Sequence, residues 1–341
     1  MNLRFLLFPF SLLYGAVIFG RNILYDFNLI KSYSSTLPVI SIGNLSAGGT
    51  GKSPLVKYIA QTFSNQRQIA ILSRGYKRRS KGFKWVFATD DVTQSGDEPL
   101  MYAKSLPEKV SIAVCENRVE GIHVLEKAQV KIQCILLDDA FQHRKVLPKL
   151  SILVTEYNKP YFNDFLLPTG NLRESRSGAN RAHLLMVSKC PNAISDSDKT
   201  KFINQTHFLP ENVFFSTIIY GPLIPKGKRN PAAKSLLLVT GIGNPLPLFE
   251  ELKTAFNVVH LNFPDHHPFT PSDVLKIHRK FGTFTPEEAI ILTTEKDWMR
   301  LEPHLSVAEL EQFPWQVIPI QLSIDREDEF KKRIYECIGT I

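Results

Sequence analysis

Lys52 and Ser53 close a glycine-rich turn, Ser46-Ala-Gly-Gly-Thr-Gly-Lys-Ser53. Before it runs a short apolar stretch with Val39, Ile40 and Ile42; after it Leu55, Val56, Ile59 and Ala60 recur at helical spacing. Strand, glycine turn, Lys-Ser and helix in that order form the context of a phosphate-binding P-loop. Glycines let successive backbone N–H groups converge on one anion, and the helix N-terminus adds its partial positive charge. In such a loop the lysine reaches the β- and γ-phosphates and the serine hydroxyl ligates Mg²⁺. Ala47, Gly48, Gly49, Thr50, Gly51, Lys52 and Ser53 are therefore the expected cradle for a nucleoside triphosphate. Ser46 stands where the usual pattern has its first glycine, while Gly48, Gly49 and Gly51 keep the inner turn permissive.

A second group of residues suits the same chemistry. Ile132 to Leu137 is an apolar run that ends in Asp138 and Asp139. A carboxylate at a strand tip holds Mg²⁺ or its water in P-loop enzymes, and two adjacent buried aspartates repel unless a cation is near. Asp97 and Glu98 precede a helical stretch and have two readings: caps of that helix, or a base and a metal ligand beside the phosphates. The basic segment Ser73-Arg-Gly-Tyr-Lys-Arg-Arg79 follows the strand Ile69–Leu72. Open α/β sheets bind ligands at the carboxyl ends of their strands, so Arg74 and Tyr76 are candidates to face a ligand. Arg173, Arg176 and Arg181 either neutralise an anion or pair on the surface. Asp265-His266-His267 offers metal ligands or a charge partner, and chemistry alone does not separate the two histidines.

The elements that must position these groups alternate strand and helix through the first 190 residues, which predicts a mostly parallel, helix-covered sheet. The fold class is α/β, P-loop NTPase-like with helices on both faces, plus a smaller C-terminal α/β domain. Residues 221–234, GPLIPKGKRNPAAK, read as a linker, leaving a core at 31–220 and a second domain at 235–341. Residues 1–30 stand apart. Between Arg4 and Arg21 lie 16 uncharged residues, short of the roughly 20 needed to span a bilayer, with Pro9 and Gly15 among them. They read as a helix lying in a membrane interface, the alternative being a helix packed on the protein's own core.

Composition is that of a globular protein with a real core, at 43% hydrophobic and 22% charged residues. The net charge of +8 calls for an anionic partner. Four scattered cysteines make no disulfide framework or zinc site, and fit a reduced, cytosol-facing location. The basic and aromatic alternation of nucleic-acid binders is missing, so no nucleic acid is expected.

Taken together, GNLSAGGTGKSP (43–54), SRGYKRR (73–79), SGDEP (95–99), LLDDAFQHR (136–144), LPTGNLRE (167–174), FPDHHPFT (263–270) and TEKD (294–297) resemble the tetraacyldisaccharide 4'-kinases of lipid A biosynthesis, in that family's order and over nearly the whole chain. The resemblance implies transfer of the γ-phosphoryl group of ATP to the 4'-hydroxyl of a tetraacylated glucosamine disaccharide 1-phosphate, giving lipid IVA. It implies ATP and Mg²⁺ as cofactors, a lipid-linked disaccharide as substrate, and work at the cytoplasmic face of the bacterial inner membrane. It further implies Asp97 as general base and His266 as its partner, with domain closure assembling the site. Ser53, Asp138 or Asp139 and Glu98 then hold Mg²⁺, while Arg74, Tyr76, Arg118, His143 and Arg173 grip the disaccharide and its phosphate. The competing class is a P-loop switch at a membrane, a regulatory GTPase or partition-type ATPase. Against it, Thr294-Glu-Lys-Asp297 has Glu where a guanine-reading motif has Lys, and Ala47 stands where partition ATPases place an extra lysine.

Overall fold

In a computed structural model, the chain is described from residue 3 to residue 339. The ends of the expected 1–30 and 235–341 segments, residues 1–2 and 340–341, thus lie outside the described residues. Two compact units form, one from the chain up to Ile219 together with the segment from Leu322 on, the other from Tyr220–Gln321.

The first unit is built on a nine-stranded sheet. Its strands are β1 (Val39–Gly43), β2 (Ile69–Ser73), β3 (Lys84–Val86), β4 (Ser111–Val114), β5 (Cys134–Asp138), β6 (Leu150–Glu156), β7 (Leu184–Ser188), β8 (Val213–Tyr220) and, late in the chain, β14 (Ile320–Ile324). They lie in the order β14-β8-β7-β6-β1-β5-β2-β4-β3. From β8 across to β4 neighbouring strands pair in parallel, and β3 closes the edge antiparallel. Helices α2 (Lys52–Phe63), α3 (Asp97–Ser105), α4 (Arg118–Glu126) and α5 (Asp196–Ile203) make the crossovers. A strand covered on both faces reads as a nearly continuous apolar run, and β1, β2, β5 and β7 are buried at every position. One apolar layer joins Leu72, Ile135 and Leu137 to Ile122 and Leu125 of α4; another joins Leu153, Leu185 and Val187 to Phe202 of α5. Each such side chain contributes about 1.5–3 kcal/mol.

The second unit carries a five-stranded sheet of β9 (Ile224–Pro225), β10 (Ser235–Thr240), β11 (Asn257–Asn262), β12 (Ala289–Thr294) and β13 (Trp315–Ile318), ordered β9-β13-β12-β10-β11. Helices α6 (Leu246–Leu252), α7 (Pro271–Phe281) and α8 (Glu295–Leu301) connect its parallel strands.

The division differs from the sequence reading at both ends of 221–341. Residues 221–234 are tied into the second unit rather than free. Ile224 and Pro225 pair with Val317 and Gln316, Lys228 donates to the Leu310 carbonyl, and the Asn230 side chain donates to the carbonyls of Pro286 and Ala289. At the other end helix α9 (Glu327–Ile338) belongs to the first unit. Phe330 packs edge-on to Phe214, Tyr335 edge-on to Phe63 of α2, and Asp325 accepts from the Phe215 backbone.

Helix α1 (Phe8–Asp26) follows a short 3-10 turn, and Arg4–Asp26 is long and apolar enough to cross a membrane by length and composition. Pro9 does not break it, because it sits in the first turn where its missing N–H is unneeded. Gly15 lets it approach the 165–174 loop, since a Cβ there would come 2.9 Å from Leu166 Cδ1. One face docks on that loop: Ser11 Oγ donates to the Leu166 carbonyl at 3.1 Å and Tyr14 Oη to the Arg173 carbonyl at 2.7 Å. The other face shows Leu6, Phe10, Leu13 and Val17, each at least 60% exposed.

Candidate active site

Two glycines shape the P-loop. Gly48 and Gly51 have φ of 118° and 88°, backbone that side-chain-bearing residues rarely adopt. Ser46 needs no such freedom. It forms an antiparallel bridge with Leu172, flanked by Arg173 N donating to the Leu45 carbonyl and Ala47 N to the Asn171 carbonyl, both at 2.7 Å. The loop is thereby laced to the LPTGNLRE segment. Asn44 braces it from within, its Nδ2 donating to the Ser46 carbonyl and to Thr50 Oγ1. Helix α2 starts after Gly51 with no side chain capping its first turn, whereas Asn117, Ser195 and Thr270 cap α4, α5 and α7. Its N–H groups are left for an anion.

The acidic residues converge on this helix. Lys52 Nζ lies 3.3 Å from Asp139 Oδ1, and Arg173 forks onto both Asp139 oxygens at 3.2 and 3.1 Å. Burial pushes the Asp139 carboxyl up, but Lys52 and Arg173 outweigh it and hold the group below its ordinary value. Asp139 sits at φ 48°, strained backbone of the kind that persists where the surroundings fix it. Asp138, 1% exposed, has the opposite fate: burial first, then the charges of Glu98 and Asp139, push it up to about 7. Its Oδ2 accepts from Tyr102 Oη and Ser73 Oγ at 3.3 and 3.4 Å, while Oδ1 is buried with no donor. Ser53 Oγ donates to Glu98 Oε1 at 2.9 Å.

A cation fits here. It would pair the orphaned Asp138 oxygen and relieve the repulsion between Asp138, Asp139 and Glu98. Among the described residues no group of three or more His, Cys, Asp or Glu side chains forms a metal cage. One or two carboxylates and a hydroxyl, completed by nucleotide oxygens and water, is the coordination habit of Mg²⁺.

The remaining expected residues divide. Asp97 is buried in the first turn of α3, behind the left-handed Gly96, and its Oδ1 accepts from Glu98 N. Arg118 is buried rather than open: it donates to the carbonyls of Cys115 and Asp138, and burial lowers its pKa to about 10. Burial, with the positive charges of Arg118 and Arg74 behind it, drives His143 down to about 4, so it is neutral at physiological pH. Arg74 and Tyr76 are exposed, with Lys77 Nζ 5.6 Å from the Tyr76 ring centre. Arg176 and Arg181 are committed elsewhere, to the Asp164 carbonyl and to Glu174.

In the second unit the two histidines separate. His267 Nε2 lies 3.1 Å from Asp273, the capping-box residue of α7, and its ring packs against Phe263 and Phe269. His266 has φ 56°, and its Nε2 lies 3.4 Å from Nζ of Lys296 in the TEKD segment. Asp297 of that segment is structural: fully buried, it pairs with Arg300 and accepts from Gly241 N at 3.0 Å.

Sequence reasoning missed a buried relay. Glu174, 0% exposed, accepts from Arg181, from Asn22 of α1 at 3.1 Å and from Gln142 at 3.2 Å; Gln142 also donates to the Asn44 carbonyl in the P-loop. Asn44, Gln142 and Glu174 lie inside the quoted motifs and Asn22 and Arg181 outside them, but a polar side chain in a motif does not announce whether it faces ligand or protein.

Known proteins resemble this chain over nearly its whole length. The family profile described as tetraacyldisaccharide-1-P 4'-kinase matches residues 3–339. The chain is 44% identical over 321 residues to the tetraacyldisaccharide 4'-kinase of Flavobacterium johnsoniae, covering 92% of each chain. It is 42% identical to that of Flavobacterium psychrophilum, covering 98% of this chain and 97% of the relative. Among solved structures it is similar to LpxK from Aquifex aeolicus in complex with ATP, with a TM-score of 0.75 and 31% identity, covering 99% of this chain and 100% of that one.

Proposed function

The chain belongs to the tetraacyldisaccharide-1-P 4'-kinase family, and from this we propose that it transfers the γ-phosphoryl group of ATP to the 4'-hydroxyl of a tetraacylated glucosamine disaccharide 1-phosphate, giving lipid IVA. The observation that carries the reading is the convergence of Lys52, Ser53, Glu98, Asp138, Asp139 and Arg173 around an uncapped α2 N-terminus. Phosphoryl transfer asks for positioning and charge neutralisation more than covalent help, and this cluster supplies both.

Each residue then has a task. The loop amides from Ala47 to Gly51 and the Lys52 ammonium bind the β- and γ-phosphates. Ser53, Asp138 and Glu98 hold Mg²⁺, which when bound neutralises charge on the phosphates. Arg173, fixed on Asp139, keeps Lys52 from collapsing onto a single partner and adds positive charge at the reacting end. Asp97 takes the proton from the sugar hydroxyl, and burial keeps competing water from it. Arg74 and Tyr76 grip the disaccharide, with Arg118 and His143 behind them. His266, rather than His267, is the functional histidine of the FPDHHPFT motif, a reading supported by its strained backbone and by the structural commitment of His267.

The exposed apolar face of α1 suits a substrate that lives in a bilayer, and the surplus of basic residues suits an anionic leaflet. We place the enzyme at the cytoplasmic face of the inner membrane, where ATP is available. Asp97→Ala tests the base assignment: turnover should fall by about two to four orders of magnitude, with ATP affinity nearly intact. Unchanged turnover would remove Asp97 from the mechanism.

A further inference from the structure

The groups that meet the reacting end of the nucleotide lie to one side of β1. Asp138 and Asp139 end β5, Ser73 and Arg74 end β2, and Asp97 and Glu98 open α3. On the opposite side of β1 lie β6 and then β7. A nucleotide with its phosphates in the loop and its γ-phosphate toward β5 points its nucleoside toward the ends of β6 and β7. There the chain carries Lys189, which has no part in the phosphate cluster.

Lys189 follows β7 directly and has φ 55°, a left-handed backbone that costs energy in a lysine and is retained where surroundings fix it. Its Nζ donates to the Gly49 carbonyl in the P-loop at 2.5 Å and pairs with Glu156 at the end of β6 at 2.5 Å. The adjacent Ser188 Oγ donates to the Thr50 carbonyl at 2.7 Å. With the ammonium held by two acceptors, the four-carbon stem is fixed along the edge of the loop, and the side chain keeps 27% of its surface open. A long side chain anchored at its head presents its stem as an apolar ledge. The segment that follows, Cys190-Pro191-Asn192-Ala193, has no carboxylate, so it offers no acceptor pair for the N–H edge of guanine.

We propose that the Lys189 stem, clipped through its ammonium to Gly49 and Glu156, is the platform on which the purine base of the nucleotide rests. Glu156 and Ser188 are positioning residues that hold this platform in register with the P-loop. The proposal deepens the kinase reading and rests on it.

The test is isothermal titration calorimetry on the full chain in detergent. The probes are Mg²⁺ with the non-hydrolysable analogue AMP-PNP, and Mg²⁺ with inorganic tripolyphosphate, which has phosphates and no base. Lys189→Ala should weaken AMP-PNP binding about tenfold and leave tripolyphosphate within about twofold of the parent protein. Lys189→Met keeps the stem without the clip and should bind AMP-PNP more weakly than the parent but more tightly than Lys189→Ala. Equal losses for both ligands in Lys189→Ala would make the residue a brace of the loop and overturn the proposal. Lys189→Met binding as weakly as Lys189→Ala would overturn it too. Failure of the parent protein to bind either ligand would instead remove the P-loop reading, and the platform with it.

Discussion

Asp138→Asn should stabilise the nucleotide-free protein while abolishing its activity. In the native state Asp138 is pushed up from 3.8 to about 7, by burial first and by Glu98 and Asp139 after it. The sign follows from linkage. Between these two values the folded protein keeps a proton that the unfolded chain has lost, so the group destabilises the fold increasingly as pH rises, and the full cost is present above about 7. At roughly 1.4 kcal/mol for each tenfold change, that cost is about 4 kcal/mol near pH 8 and under about 1 kcal/mol near pH 4. Asparagine keeps an oxygen for Tyr102 and Ser73, places N–H donors where the orphaned Oδ1 now lies, and carries no charge to repel Glu98. Urea unfolding without Mg²⁺ or nucleotide should therefore find Asp138→Asn more stable than the parent by a few kcal/mol near pH 8, with the gap closing toward pH 4. A variant less stable near pH 8, or a difference that ignores pH, would show that the Asp138 charge does not burden the fold.

Two further predictions concern the relay and the helix. Glu174→Ala leaves Arg181, Asn22 and Gln142 without their buried acceptor, and should lower stability by about 3–5 kcal/mol in urea unfolding; a loss under about 1 kcal/mol would mean the carboxylate is dispensable. Replacing Phe10, Leu13 and Val17 together by serine should reduce co-sedimentation with anionic vesicles by about two orders of magnitude or more. Turnover on substrate dispersed in detergent should survive that change, because the opposite face of α1 makes the contacts to the 165–174 loop. Undiminished sedimentation would dismiss this face as the membrane contact.

Much of the first unit was legible because its signals are local. The turn from Ser46 to Ser53 lies between a largely apolar, fully buried strand and an amphipathic helix, and Leu184–Ser188 reads as a strand from composition alone. What depended on distant partners was not legible. Tyr58 meets Glu327 across 269 positions of chain, so nothing near α9 could show that it returns to the first unit. Residues 221–234 have linker composition, yet backbone hydrogen bonds to Trp315, Phe313 and Leu310 give them structure. The Ser46 substitution became explicable only with Leu172 beside it, since a bridge position has no need of glycine. The family resemblance offered Arg118 as a substrate ligand, whereas its burial directs its charge at Asp138 and His143.

Incubating the purified full chain with γ-³²P-ATP, Mg²⁺ and a tetraacyl disaccharide 1-phosphate in detergent tests the kinase assignment itself. Label should appear on the lipid, at the 4'-position, in proportion to ADP formed, and about two to four orders of magnitude more slowly in Asp97→Ala. ATP hydrolysed to free phosphate at the same rate with or without the lipid, and no label on it, would overturn the kinase assignment and point to a nucleotide-driven switch.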